Sequence, residues 1–191
     1  MNQYTAISDV SEYICNLLKE NITPEPILNK ESIGLCSPND KGDLTLGIFL
    51  YDITKSKEIR CNTMINMGMQ TQKYPPEVIN LNYMITAYSN TELKSKCFDE
   101  QKILGRAIQI LVDNPIINTG EIINSPELIL NEAKIQLLDL TFEEKYKIWN
   151  SQNTPYKLSI CFRVYPVEIQ STRTRTVQRV VEAISQIEQK K

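Results

Sequence analysis

The chain has 191 residues, of which 41% are hydrophobic, and a formal net charge of −2. This length is typical of one domain that buries about two-thirds of the surface its unfolded chain exposes. The small net charge gives no general attraction to nucleic acid or anionic membranes, so we expect neither as a partner. The sequence contains no histidine, which excludes Ser-His-Asp and Cys-His catalysis and histidine-ligated metals within this chain.

The charge is distributed unevenly along the chain. Residues 171–191 carry five basic and two acidic side chains, a net charge of +3, whereas residues 1–170 carry 16 basic and 21 acidic side chains, a net charge of −5. A basic tail on an acidic body favours contact between the tail and an acidic surface, such as that of a neighbouring copy. The alternative is a solvated terminal helix.

Cysteine spacing and hydropathy indicate where the protein works. The five cysteines are widely spaced, and none belongs to a C-x-x-C pair. This pattern is typical of reduced thiols in a cytoplasm and indicates neither a disulfide framework nor a zinc site. The first residues lack the basic and apolar regions of a signal peptide, and no run of about 18 apolar residues occurs. We therefore expect assembly in the cytoplasm, without a membrane-spanning segment.

Apolar periodicity and turn residues predict the elements of the first half of the chain. Apolar residues at helical spacing predict a helix over residues 6–20, which the Thr23-Pro24-Glu25-Pro26 segment ends. The elements that follow are, in order, a strand over 33–36, a turn over 39–42, a strand over 44–51, an edge strand over 59–63, a loop over 64–74 and a strand over 78–87.

The second half is predicted to alternate between helices and strands. A wide apolar face predicts a central helix over residues 92–112, which Asp113-Asn114-Pro115 ends. The later elements are a mixed loop over 116–130 with a helical turn opening at Ser125-Pro126, a strand over 134–140, a helix over 142–149 capped by Thr141, a strand over 156–164 that extends to Ile169, and a helix over 174–188.

This order predicts an α+β domain with a largely antiparallel or mixed sheet and helices packed on one face. We assign residues 1–170 to this domain. Residues 171–191 form a C-terminal basic amphipathic arm, because the apolar stripe of the last helix follows a Thr-Arg repeat without core pattern. The stripe consists of Val177, Val180, Val181, Ile184 and Ile187.

Two sets of polar residues are candidates for chemistry. Asp139, Glu143 and Glu144 could form an acid/base pair at a strand-to-helix turn, but acidic residues there are also expected simply to complement a helix N-terminus, and we favour that interpretation. Arg173, Arg175 and Arg179 could bind phosphate, but no aromatic residue follows Tyr165 for base stacking. Packing against a partner protein is therefore the favoured interpretation of these arginines.

Gly105 is unusual because it lies inside the predicted central helix. A glycine there costs about 1 kcal/mol of helix stability relative to alanine. Such a glycine usually allows another backbone to approach closely. We therefore predict a close-packing contact at this position.

Three ordered sets of motifs carry a family resemblance. They are the helix run from Glu100 to Ala107 that continues through Leu111 to Ile116; the Leu46–Tyr51 strand with Pro75-Pro76 and residues 81–88; and Trp149 followed by residues 155–160 and Tyr165-Pro166-Val167. Over roughly residues 5–170, this set resembles the N-terminal domain of the cap proteins of extracellular contractile injection systems, of the virulence-cassette and antifeeding-prophage type.

The resemblance implies a structural subunit without cofactor or catalytic residues. Such a subunit would form a six-fold ring on the last layer of the inner tube and sheath, with itself and the sheath and tube proteins as partners. Closed cyclic symmetry needs heterologous contacts, which an arm can make. The segment 168–172 could add a strand to a neighbour's sheet. The residues predicted to contact another subunit or the sheath are Glu168, Ile169, Arg173, Arg175, Arg179, Val180 and Ile184.

Two alternative functions remain at this point. The first is a neck, sheath-adaptor or baseplate component of the same particle, because fold alone does not determine position in an assembly. The second is a carboxylate-dependent hydrolase that uses Asp139 and Glu143, which a deep pocket and a raised carboxyl pKa would favour.

Overall fold

The computed structural model describes residues 3–59, 61–68, 70–89, 93–123 and 128–177. The helices in these residues are α1 (Ala6–Ile22), α2 (Leu93–Asp113), α3 (Thr119–Ile123) and α4 (Phe142–Ser151). The strands are β1 (Ile33–Leu35), β2 (Leu46–Lys55), β3 (Ile65–Asn66), β4 (Thr71–Lys73), β5 (Glu77–Ala87), β6 (Ile116–Asn118), β7 (Glu132–Leu137), β8 (Ser159–Ile169) and β9 (Thr174–Thr176).

Six of the strands form one mixed sheet in the order β1-β2-β5-β8-β7-β6. The β1–β2 pair is parallel and the other four pairs are antiparallel. The long strands β5 and β8 lie at the centre, where both faces are covered, which explains their nearly continuous apolar sequence. The predicted α+β class with a mixed sheet is confirmed.

The main core lies between one face of this sheet and the helices α1 and α2. Tyr83 of β5 is paired with Phe162 of β8, and their rings stack with centroids 5.2 Å apart. Above them, Val10, Ile14 and Leu18 of α1 are fully buried. Their spacing places them on one side of the helix, so the apolar periodicity alone determines which face of α1 packs on the sheet.

A smaller apolar cluster covers the opposite face of the sheet. Because successive side chains alternate across a strand, Met84 and its paired neighbour Cys161 lie on the face opposite Tyr83 and Phe162. Trp149 of α4 packs against both and donates its indole N–H to Ser159 Oγ, 3.3 Å away. Helix α4 therefore closes the face that α1 and α2 leave open.

The remaining three strands form a separate antiparallel sheet in the order β3-β4-β9. This sheet corrects three predictions. Residues 64–74 were expected to be a loop but contain β3 and β4, whereas Ile59 and residues 61–63 form no strand. The helix predicted to begin at residue 174 is also wrong there, because Thr174–Thr176 is a strand; the rest of that helix, from residue 178, lies outside the described residues.

The other elements were predicted correctly, with small differences at their ends. The exception is the segment 116–130, where β6 and α3 replace the expected loop. The helical turn expected at Ser125-Pro126 lies outside the described residues.

Candidate functional site

The residues predicted to contact other subunits lie at or beyond the end of β8. Ile169 pairs with Glu77, and Glu168 pairs with Val78, so one backbone edge of this segment is already used within the chain. The predicted addition of a strand to a neighbour through residues 168–172 stays a prediction, which for Glu168 and Ile169 concerns the other edge. Arg179, Val180 and Ile184 lie outside the described residues.

Glu168 is buried inside its own chain, and only 2% of the surface of the residue is exposed. Its carboxylate accepts hydrogen bonds from the backbone N–H of Leu130 at 2.9 Å and of Ile129 at 3.0 Å, and another from the side-chain amide of Gln170. Burial raises the pKa of this carboxyl, although the three hydrogen bonds act in the opposite direction. The carboxylate thus fixes the loop before β7 to the end of β8, and its predicted contact with another subunit stays a prediction.

Side-chain contacts of Arg173 and Arg175 stabilise the pairing of β9 and the residue before it with β4 and the residue after it. The Arg173 guanidinium lies over the ring of Tyr74, 4.1 Å from its centroid. Arg175 donates two hydrogen bonds to Gln72 Oε1, from Nε at 3.1 Å and Nη2 at 2.8 Å. The three residues of β9 are exposed, so β9 is an edge strand held mainly by polar contacts. Its Thr-Arg alternation was a period-two signal that the sequence interpretation overlooked.

Gly105 lies on the exposed side of α2, and a Cβ added there would meet no described atom within 4 Å. The predicted close contact is therefore not made inside the described chain. A contact with another chain stays a prediction.

The acidic residues at the start of α4 form a helix cap. Glu144 accepts a hydrogen bond from the backbone N–H of Thr141 at 2.8 Å, and Thr141 Oγ1 accepts one from the backbone N–H of Glu144 at 3.3 Å. The bond from the Thr141 backbone is the main reason that the pKa of Glu144 is lowered. Glu143 makes an exposed ion pair with Lys147 at 2.8 Å. These contacts confirm the interpretation of Glu143 and Glu144 as helix-start residues.

An exposed aromatic patch on α4 was missed from the sequence. Phe142 is 65% exposed and Tyr146 is 49% exposed. The Phe142 ring contacts Tyr146 and also meets Tyr156 edge to face, with centroids 4.9 Å apart. The helical spacing of Phe142 and Tyr146 was the available signal. Clustered exposed aromatic rings are typical of protein-binding surfaces.

The described part of the chain contains neither a metal-binding cluster of side chains nor a membrane-spanning helix. Within it, no group of three acidic or cysteine side chains is arranged to hold a metal ion, and none of its helices is long and apolar enough to cross a bilayer. All five cysteines are free.

The chain also matches a known protein family. The family model described as the Pvc16 N-terminal domain matches residues 9–183. The chain belongs to this family. No curated protein matches the chain.

Two solved structures share the fold of this Pvc16 N-terminal domain. One is a PVC sheath/tube terminator of an extracellular contractile injection system in the extended state, with a TM-score of 0.64, 17% identity, and coverage of 96% of this chain and 64% of that chain. The other is the tube-terminating cap of the anti-feeding prophage, with a TM-score of 0.66, 17% identity, and coverage of 97% and 63%. This chain therefore spans somewhat less than two-thirds of the length of either protein.

Proposed function

We propose that this chain is a structural cap subunit that terminates the inner tube and sheath of a phage-tail-like contractile injection particle. The observation that carries the proposal is the match of nearly the whole chain to two structures described as tube terminators, within a family model that covers residues 9–183. The subunit acts as a ring of identical copies, of which six is the expected number. Its other partners are the sheath and tube proteins of the particle.

The outer strands of the two sheets support a role in assembly. The outer strands are β1 and β6 in the six-stranded sheet, and β3 and β9 in the three-stranded sheet. An outer strand presents unpaired backbone groups that can bind a strand of another chain. A ring subunit that ends two polymers needs several such edges. It contacts identical copies within the ring and different proteins at the ends of the tube and the sheath.

The aromatic patch on α4 supplies an anchor of another kind. A heterologous ring contact joins two different surfaces of neighbouring copies. Phe142 and Tyr146 present large apolar area in a pre-formed helix, so little side-chain freedom is lost when they bind. We assign this patch to contact with a protein surface of the particle.

The role is structural and not catalytic. Of the two carboxylates that follow Thr141, Glu144 completes the capping box and Glu143 pairs with Lys147. Helix stability accounts for both contacts, and Asp139 is exposed, which supports a structural role over the hydrolase alternative. We further propose that the subunit assembles in the cytoplasm and leaves the cell only as part of the particle.

Labelling the chain in assembled particles tests its position in the particle. A short epitope tag on the chain, detected with gold-conjugated antibody in electron micrographs, should mark only the end opposite the baseplate. Gold at the baseplate end, or along the sheath, would contradict the cap and favour the alternative component of the same particle. Tagged sheath protein is the matched control and should be labelled along the whole length.

A further inference from the structure

A small polar pocket opens on the face of the six-stranded sheet against which α4 packs. Arg163 of β8 pairs with Asn82 of β5, two residues along each strand from Cys161 and Met84, so both side chains lie on the α4 side of the sheet. The pocket has a volume of about 270 Å³. The residues that define this Arg163 pocket include Lys55, Lys57, Glu58, Asn80, Arg163 and Tyr165.

The lining of the Arg163 pocket has an excess of positive charge. It contains three basic side chains and one acidic side chain, Glu58. Lys55 is neutralised by Glu77, which lies 3.0 Å from its Nζ in an exposed ion pair. Among the described residues, neither Lys57 nor Arg163 makes an ion pair with a carboxylate. The pocket therefore attracts an anion.

The Arg163 guanidinium is held in place by a short chain of hydrogen bonds. Its Nε donates to Asn82 Oδ1 at 2.9 Å, and Asn82 Nδ2 donates to Asp52 Oδ2 at 3.4 Å. Asn82 is only 3% exposed, so this support is buried. The bond to Asn82 uses Nε and leaves both Nη nitrogens without an acceptor among the described residues. A planar guanidinium fixed in this way presents a fork that matches the two oxygens of a carboxylate.

Asn80 adds a hydrogen-bond acceptor to the pocket. Its Oδ1 is buried and has no hydrogen-bond partner within the described residues, which is unfavourable until a donor arrives. The χ2 torsion of asparagine is broad, so the amide can turn toward a ligand. A free carboxylate has no donor for this oxygen, whereas a peptide carries a backbone N–H close to each acidic side chain. This combination favours an acidic peptide over a small anion.

The volume of the pocket favours a side chain over a nucleotide or a cofactor. Typical small-molecule sites enclose about 300–1,000 Å³, which is more than the 270 Å³ of the Arg163 pocket. Tyr165 is the single aromatic residue of the described lining, so successive bases would find no stacking platform there.

We propose that the Arg163 pocket binds an aspartate or glutamate side chain of a peptide segment in a partner protein. Arg163 forms two parallel hydrogen bonds with the carboxylate, and the exposed Lys57 adds a second positive charge. The Asn80 amide accepts a hydrogen bond from the backbone N–H of the same segment. The inference goes beyond the cap function, because this binding chemistry does not depend on where the subunit lies in the particle.

Fluorescence anisotropy with a labelled hexaglutamate peptide tests the pocket in the full chain. We expect this peptide to bind, with an affinity that falls as the salt concentration rises, and a labelled hexaglutamine peptide not to bind. Arg163→Gln should weaken binding about tenfold or more, because it removes a charge-assisted pair. Arg163→Lys keeps the charge but loses the fork, so its affinity should lie between those of the wild type and Arg163→Gln.

Two further variants separate the pocket from charge elsewhere on the chain. Lys57→Gln removes one positive charge but leaves the bond between Arg163 and Asn82 intact, and it should weaken binding about threefold. Arg175→Gln is the matched control, because Arg175 is exposed on β9 of the other sheet, and it should leave the affinity unchanged. Circular dichroism verifies that each variant is folded. If Arg163→Gln does not fold, Lys57→Gln and Arg163→Lys decide.

Several results would overturn the proposal. They are a failure of hexaglutamate to bind, an unchanged affinity in the folded pocket variants, and a loss of affinity in Arg175→Gln alone, which would place the peptide on the basic C-terminal segment. Tighter binding of a labelled six-residue thymidine oligonucleotide would indicate a phosphate site instead. All these measurements use the chain without the particle, so the pocket and the cap function, which particle length tests, can fail separately.

Discussion

The two sheets of this chain are held together by different forces. In the six-stranded sheet, buried rings and aliphatic side chains such as Tyr83, Phe162 and Leu81 contact helices on the faces of the sheet. In the three-stranded sheet, the contacts are backbone bonds plus polar ones from Arg173 and Arg175. The free energy of unfolding should therefore depend on the first sheet, whereas the second can open and re-form without unfolding the domain.

The largest expected effect comes from the centre of the six-stranded sheet. Phe162→Ala should lower the free energy of unfolding by about 3–5 kcal/mol, because it leaves a cavity beside Tyr83 in a fully buried position. Urea denaturation followed by circular dichroism measures this. A loss below about 1 kcal/mol would mean that the core is loosely packed there, and the contrast between the sheets would fail.

Glu168, which lies where the two sheets meet, should have an intermediate effect. Glu168→Gln should cost about 1–3 kcal/mol, because one amide cannot reproduce the hydrogen bonds that the carboxyl group makes with Ile129, Leu130 and Gln170. Urea midpoints of both proteins measure the cost.

The cost of Glu168→Gln should also depend on pH. Burial raises the folded-state pKa of Glu168 above its ordinary 4.5, so the wild type loses stability as the pH rises from 4.5 through that folded-state value. The deficit of the variant is therefore largest below pH 4.5 and smaller above. A deficit that grows with pH would show that the folded-state pKa is lowered instead.

A smaller effect, of opposite sign, is expected on α2. Gly105→Ala should raise the free energy of unfolding of the isolated subunit by about 0.5–1 kcal/mol, since the added Cβ meets no described atom within 4 Å and alanine favours the helix. Thermal melting measures this. Gly47→Ala is the control that should destabilise, because a Cβ there would lie 2.6 Å from Cys36 Sγ.

The smallest global effect is expected in the three-stranded sheet. Arg175→Ala should change the free energy of unfolding by less than about 0.5 kcal/mol, because the side chain is exposed. Hydrogen exchange should nevertheless become faster at the amides of Tyr74 and Val177, which bond across β4 and β9. Unchanged protection there, or protection equal to that of β5, would remove the distinction between the two sheets.

The sequence predicted the six-stranded sheet well because its elements carry local periodicity. Val10, Ile14 and Leu18 mark α1, and the alternation of Leu158, Ile160 and Phe162 marks the start of β8. These patterns reflect burial against a nearby layer. A single sequence contains that information, and the elements marked in this way differ only at their ends, whereas β6 (Ile116–Asn118) was expected to be loop.

The three-stranded sheet could not be predicted from the sequence in the same way. Its strands have two or three residues each, and Gln72 pairs with Arg175, about a hundred positions away. Their mostly polar residues carry no apolar pattern, so tertiary pairing determines their structure. A groove between α2 and the strands β7 and β8 was missed for a related reason. Gly105 on its α2 side was noticed, but the opposite side comes from β7 and β8, which only the fold brings beside α2.

The length of the particle tests the central claim most directly. Electron microscopy should compare tube and sheath lengths in particles made with the chain, without it, and with it restored. The account predicts overlong, variable or unstable tubes without the chain and uniform lengths after restoration. Particles of normal, uniform length in its absence would contradict its role as the terminator of tube and sheath.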